Sequence, residues 1–499
     1  MRVVSAEIPL TSPLMAEGAP GRAAVAGGSD GTVAAAVAAL EAGGNAVDAA
    51  VAAGFASAVA EPTLSSLGGG GFLLVRPPDA DPVVLDFFVD VPGLGGGDVQ
   101  PSVQTLSVTY GSSAQQQFHV GWGTIATPGC FAGYLDAHQR WGRLPLADVV
   151  APAIVAARVG VQLDAVQVAF IRVIGEILRV TPESARLYAA PIAGEPFRDE
   201  PYADLLDAIA RGEITGPADP AYAAPLVDAM RVNGGLVTHR DLESYAPILR
   251  RPISGRRLGA GPARIWTNPP PSFGGSIIIE ALGLTPASDD PATLWPALAA
   301  ALREATARRR QLDTASPQAV RGTTHVSVID ADGMIAALSV SNGSGSGVAV
   351  NGISFNNMLG EEDLNPLGLH AQPPGTRMGS MMAPTLVQGA NGSLLALGTG
   401  GSERIRSALS GVIARHLDHG MSLSDAVAAP RVHPGETLTD IEPGHDPATV
   451  AALAADPIPV RAWADPDLFF GGVHAVRRAP DGSVMAIGDV RRGGAVAVV

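Results

Sequence analysis

The sequence predicts an α+β protein in which helix layers cover both sides of two β-sheets. Three observations carry that expectation. Two alanine-rich helical stretches near the start, within 23–62, are apolar on nearly all faces, so they belong against a sheet and not in water. Past residue 322 the pattern turns to short apolar strands separated by Asp332-Gly333 and Asn391-Gly392, dipeptides that close hairpins. Helical spacing returns at 403–419, so helices precede and follow the strand run, which favours layered packing.

The elements follow in order. "AAVAGGSDGTVAAAVAALEAGG" (23–44) reads as strand, glycine turn and a helix ended by Gly43-Gly44. In 45–62, Asn45 suits an N-cap, Asp48 stands three residues on as in a capping box, and Pro62 closes the helix. The stretch 65–88 reads as glycine run, strand, turn and strand. Residues 93–120, rich in Gly, Ser, Gln and Val, read as irregular surface. Helical spacing resumes at 130–160 and dominates 163–250, where Thr238 and Asp241 repeat the capping pair. Then come strand, proline-glycine loop and helix (263–284), and a helix at 293–312 whose arginine-rich end suits the helix dipole. A polar connector with Pro317 (313–322) precedes the β-rich part. After the helix at 403–419, a short one near 422–429 and further strands finish the chain. No internal repeat occurs.

Composition excludes several functions. The 499 residues carry a net charge of −15, and all 33 basic residues are arginine. Without lysine, neither Schiff-base chemistry nor a Walker-type phosphate loop is possible. A net acidic chain with no basic run is a poor partner for nucleic acid or an anionic membrane. One cysteine, Cys130, rules out an intrachain disulfide or a multi-cysteine zinc site; at a helix start it reads as a small buried residue. "MRVVSAEIPLTSPLM" lacks the apolar core of a signal peptide, and no uninterrupted apolar run reaches spanning length. The expectation is a cytoplasmic protein without membrane association, and no cofactor or metal is called for.

Several residues are candidates for chemistry. Thr323 follows Gly322 at the start of a strand. A threonine hydroxyl is a weak nucleophile until a base stands beside it, and an N-terminal threonine has its own α-amine, with a pKa of about 7.7–8. The same hydroxyl can first attack the preceding carbonyl, where Gly322 offers little obstruction. "GGSDG" (27–31) fits a nucleophile elbow at Ser29 and is the main rival, although Ser29 follows at most one strand. His416 and His419 have metal-compatible spacing, but a helix C-terminus explains them. Glu361, Glu362 and Asp363 form an acidic cluster suited to solvent or to an ammonium group. "GTGGSER" (398–404) reads either as a tight strand-to-helix turn or as backbone N–H groups presented to an oxyanion.

Taken together these pieces resemble the γ-glutamyltranspeptidase family through nearly the whole chain. The matching blocks are "GGNAVDAAVAAGFASAVAEPTLSSLGGGGFLL" (43–74), "TIATPGCFAGYLDAHQRWGRLPLADVVAPAIVAA" (124–157), "PPPSFGGSIIIEAL" (269–282), "TTHVSVIDADG" (323–333), "SMMAPTLV" (380–387) and "GTGGSERI" (398–405). The resemblance implies an N-terminal-nucleophile hydrolase fold, a four-layer αββα sandwich. It implies cleavage between Gly322 and Thr323 into a large chain 1–322 and a small chain 323–499 that stay together as one composite catalytic domain. Thr323 Oγ would then attack an amide, form an acyl-enzyme and pass the acyl group to water or an amine. By the same resemblance Ser341 supports the nucleophile, Asn342 binds substrate, Gly400 and Gly401 form the oxyanion hole, and Ser380 binds the substrate carboxylate.

Departures from the family pattern concern the substrate. In "LDFFVD", Phe88 stands where the family has the arginine that grips the glutamyl carboxylate. Met381 replaces the second serine of a pair, Met358 replaces a polar residue, and Glu361 replaces the aspartate that receives the substrate ammonium. Phe88 and Met381 make that end of the pocket apolar. The chain also lacks a long insert between "GEEDLNP" and "PPGTRMGS", so a lid carried by some relatives is not expected. Three readings result: a self-processing amidase or acyltransferase with an altered acyl pocket, an ordinary γ-glutamyl hydrolase or transpeptidase whose arginine comes from Arg76 or Arg377, and an unprocessed, non-catalytic relative.

Overall fold

The computed structural model describes residues 13–97, 99–110, 114–259, 261–312, 322–365 and 367–499. The N-terminal stretch 1–12 and most of the connector, 313–321, lie outside the described residues. Two seven-stranded antiparallel sheets organise the chain. The first runs, edge to edge, Leu14–Gly18, Val484–Gly488, Gly472–Arg478, Leu394–Gly400, Thr385–Gly389, Ala263–Thr267 and Ile253–Arg257. The second runs Ala495–Val498, Ala24–Gly27, Gly322–Ile329, Ile335–Gly343, Gly70–Arg76, Val83–Phe87 and Ile248–Arg250. Strands from before and after residue 322 are interleaved in both. Leu14–Gly18 pairs with Val484–Gly488, and Ala24–Gly27 lies between Ala495–Val498 and Gly322–Ile329.

The period-two alternation of a strand decides what each sheet face meets. Val25, Leu73, Val75, Val326 and Val328 of the second sheet share a core with the helices Asp30–Glu41, Ala46–Ala60 and Cys130–Trp141. Their neighbours Ala24, Ala26, Phe72 and Leu74 share another core with the first sheet and with the helices Gly274–Leu284, Pro291–Leu312 and Arg404–Asp418.

Both expected capping boxes form. The Asn45 side chain accepts from the N–H groups of Val47 and Asp48, and the Asp48 carboxylate accepts from Asn45 N. Asp48 also takes the N–H of Arg143, which ties this helix to the loop after Trp141. Thr238 and Asp241 cap the helix His239–Ser244 in the same way. Cys130 is fully buried at a helix start, and burial pushes its thiol up to about 12.

One expectation is corrected. Within 93–120, read as irregular surface, Gln104–Tyr110 and Ala114–Val120 pair as an antiparallel hairpin. The glycines at 95–97 and the glutamine run at 115–117 dominate the composition of this stretch and hide a hairpin that buries chiefly Val108, Phe118 and Val120. No described helix is long and apolar enough to cross a membrane.

Candidate active site

The site begins with a register shift. Gly322–Ile329 pairs with Ile335–Gly343 across the Asp332-Gly333 turn, and the pairing slips between Gly322 and Thr323. Gly322 stands opposite Gly343 but Thr323 stands opposite Ser341, so Asn342 is the extra residue of a β-bulge. The bulge brings the two hydroxyls together: Thr323 Oγ1 donates to Ser341 Oγ at 3.2 Å. Ser341 Oγ in turn donates to the Gly322 carbonyl at 2.5 Å and accepts from Gly343 N at 3.0 Å.

Thr323 and Ser341 line a small, partly open cleft. Of the candidates read from the sequence, Phe88, Met358, Ser380 and Met381 line it as well. Leu364, Met382, Ser402 and Ile405 complete the lining, and none of these ten residues is charged. Phe88 is held in place by stacking on Phe72, with ring centroids 5.6 Å apart. Ser380 Oγ accepts from Met382 N at 3.1 Å, which leaves its proton for a ligand.

Neither arginine offered as a substitute lines this cleft. Arg377 donates to Asp86 Oδ1 at 2.8 Å, to the Asp86 carbonyl at 2.7 Å and to Asp90, and lies over the Tyr245 ring. Its charge is spent on two carboxylates behind Phe88. Arg76 ends its strand on the far side, near Asp79 and Arg478. Glu361 is buried but outside the lining, with Oε1 accepting from Ser344 N and Ser344 Oγ, both at 3.1 Å. Asn342 is likewise outside it; its Oδ1 accepts from Ser66 Oγ at 3.2 Å.

Gly400 packs directly against Thr323, and Gly401 follows it. A Cβ on Gly400 would sit 2.1 Å from the Thr323 carbonyl oxygen and 3.2 Å from Arg492 Nη1, so only glycine fits between them. Gly401 has φ +120 and would meet Arg492 Nη2 at 3.2 Å. Burial, with Arg404 nearby, lowers the Arg492 guanidinium to about 9. Beneath the next residue, Thr324, lies Glu61, which accepts from Thr32 Oγ1 at 2.6 Å. Burial raises the Glu61 carboxyl to about 7, against the hydrogen bond from Thr32.

The rival sites are occupied by structural work. Ser29 caps the helix Asp30–Glu41, with its Oγ accepting from Thr32 N at 3.2 Å. His416 Nδ1 meets the Met421 carbonyl at the helix end, and His419 is the C-cap residue. His325, two residues past Thr323, bridges Ser339 Oγ and Ser327 Oγ at 2.8 Å each; burial keeps it neutral. Sequence reading missed Ser402, Leu364, Met382 and Ile405. Their signal was adjacency: Ser402 follows the paired glycines, and Met382 follows Met381.

Comparison with known proteins identifies the family. The family model described as gamma-glutamyltranspeptidase matches residues 32–321 and 297–499. The glutathione hydrolase proenzyme of Escherichia coli (strain K12) is 28% identical over 523 residues, covering 91% of this chain and 87% of that protein. The acylase ACY 1 proenzyme of Pseudomonas sp. (strain SE83) is 30% identical over 502 residues, covering 89% of this chain and 88% of that one. Among solved structures, the cephalosporin acylase from Bacillus halodurans shares the fold, with a TM-score of 0.78 over 98% of both chains at 24% identity. On sequence along most of its length, the chain belongs to the gamma-glutamyltranspeptidase family.

Proposed function

We propose that this chain is a self-processing amidohydrolase or acyltransferase that works through a threonyl ester on Thr323 and accepts an uncharged, apolar acyl group. The observation that carries the reading is that Phe88, Met358 and Met381 line the same uncharged cleft as Thr323. Each methylene buried there favours binding by about 0.8 kcal/mol. A charged carboxylate placed against Phe88 and Met381 would instead lack a partner, at a cost of several kcal/mol.

Self-processing starts from the bulge. Thr323 Oγ attacks the Gly322 carbonyl carbon, whose oxygen is already polarised by Ser341 Oγ. The peptide C–N bond breaks as the hydroxyl proton passes to its nitrogen, which becomes the new α-amine, and water hydrolyses the resulting ester. The freed amine then serves as the base for the same hydroxyl in turnover. Gly400 and Gly401 are assigned to the oxyanion, and Ser341 holds the hydroxyl. Asn342 and Glu361 remain candidate contacts for the polar part of a substrate. The fragments 1–322 and 323–499 stay associated because each sheet contains hydrogen-bonded strands from both. The core pattern supports a four-layer αββα sandwich.

The similarity to the Escherichia coli glutathione hydrolase proenzyme favours a second reading, an ordinary γ-glutamyl hydrolase or transpeptidase. A denaturing gel and N-terminal sequencing test the common part: two fragments are expected, the smaller beginning at Thr323, and Thr323→Ala should remain one band without turnover. An active protein with the 322–323 bond intact overturns it. Comparing γ-glutamyl-p-nitroanilide with uncharged acyl p-nitroanilides separates the two readings, with the uncharged donors expected to give the higher kcat/KM.

A further inference from the structure

We propose that the Ser402 hydroxyl donates a hydrogen bond to the oxyanion formed when Thr323 attacks an acyl donor. The inference rests on the threonine mechanism above and adds a side chain to it. Ser402 lines the cleft together with Thr323 and Ser341. Its side chain is buried, at 3% exposure, and Oγ has no hydrogen-bond partner among the described residues. A buried hydroxyl is normally bonded, so one left open beside a nucleophile is free to serve a ligand.

Ser402 has φ +54, in the left-handed region. Asn351 and His370 are the other non-glycine residues there among the described ones, and neither is buried. Glycine would adopt this conformation without steric penalty, whereas serine does not. What the strained residue adds over glycine is its hydroxymethyl group, with a buried, unpartnered Oγ in a residue that lines the cleft.

The local fold also fixes the hydroxyl. Ser402 follows Gly400 and Gly401 and enters the fifteen-residue helix Arg404–Asp418. Gly401 O accepts from Arg404 N at 3.1 Å and Ser402 O from Ile405 N at 3.0 Å, so the turn is locked into the first helical turn. The hydroxyl therefore stands at the positive end of a helix, where developing negative charge is favoured.

Thr323 Oγ bonds to the acyl carbon, and its proton passes to the Thr323 α-amine. The carbonyl electron pair moves onto oxygen, which accepts from the Ser402 hydroxyl; that hydroxyl keeps its proton. On collapse the C–N bond breaks, and the leaving amine takes the proton from the ammonium. Self-cleavage is different, because the Gly322 carbonyl already accepts from Ser341. Ser402 should therefore matter for turnover and not for cutting.

The test uses Ser402→Ala and Ser402→Gly in the full chain. These lack the same hydroxyl but differ in backbone strain. Both should cut like wild type. On an uncharged acyl p-nitroanilide, kcat should fall about 10²-fold in both, with KM nearly unchanged. Inhibition by phenylboronic acid, which forms a tetrahedral adduct with a hydroxyl nucleophile, should weaken by a similar factor. A Ser402→Gly variant with wild-type kcat and boronate affinity overturns the inference, as does a rise in KM alone. Loss of cutting in both variants at unchanged melting temperature also overturns it. An uncut wild-type chain would overturn the threonine mechanism and this inference with it; a cut wild-type chain with an unaffected Ser402→Gly overturns this inference alone.

Discussion

The Ser341 hydroxyl is hydrogen-bonded to the carbonyl of Gly322 at 2.5 Å, across a bulge that places it opposite Thr323. This bond sits on the oxygen where negative charge would develop during self-cleavage. Ser341→Ala should slow cutting about 10²-fold, the usual effect of removing one oxyanion donor. Ser341→Thr, which keeps the hydroxyl, should cut much faster than Ser341→Ala. A gel time course on freshly purified precursor measures both. Wild-type cutting in Ser341→Ala would show that the bond is incidental.

Arg377 separates stability from substrate choice. Asp86 is fully buried and is held by Arg377 at 2.8 Å and by Arg250 Nε at 2.6 Å. Arg377→Met leaves this buried carboxylate with one cation, which should cost about 3 kcal/mol and lower the melting temperature by several degrees. Because Arg377 does not line the cleft, the ratio of kcat/KM for γ-glutamyl and uncharged anilides should not change. A selective loss of the γ-glutamyl activity would instead identify Arg377 as the carboxylate anchor.

Glu61 sets a pH dependence of stability. Its folded carboxyl titrates at about 7, against an ordinary value of 4.5, because burial disfavours the charge. Between those values the folded chain binds more protons than the unfolded one, so stability is lost as pH rises through the window. The full effect above it is about 3 kcal/mol. Glu61→Gln, which is neutral throughout, should match wild type near pH 4.5 and exceed it at about pH 8. Melting temperatures across that range check this. Parallel curves for the two proteins would mean that Glu61 is ionised throughout.

Much of the chain was legible because its signals are local. Asn45 and Asp48 announce a helix start by their spacing, and Asp332-Gly333 announces a hairpin. The cleft was legible through resemblance: Phe88, Met358, Ser380 and Met381, spread over nearly three hundred residues, line one space with Thr323. Spacing alone could not bring Phe88 beside Thr323, since tertiary packing does that. The bulge at Asn342 was also hidden, because register depends on the partner strand. The engagement of Arg377 by Asp86 and Asp90 was out of reach for the same reason. A charged residue on a loop gives no sign of which carboxylates it will meet.

The alternation of strands from either side of Gly322 has a consequence for how the two pieces find each other. Under the proposed self-cleavage neither piece could complete a sheet by itself, so the whole precursor would have to be built before it is severed. The fragments are then partners by descent and need no recognition surface. Two differently tagged precursors made in one cell should yield only parental pairs, each small fragment remaining with the large one it was synthesised with.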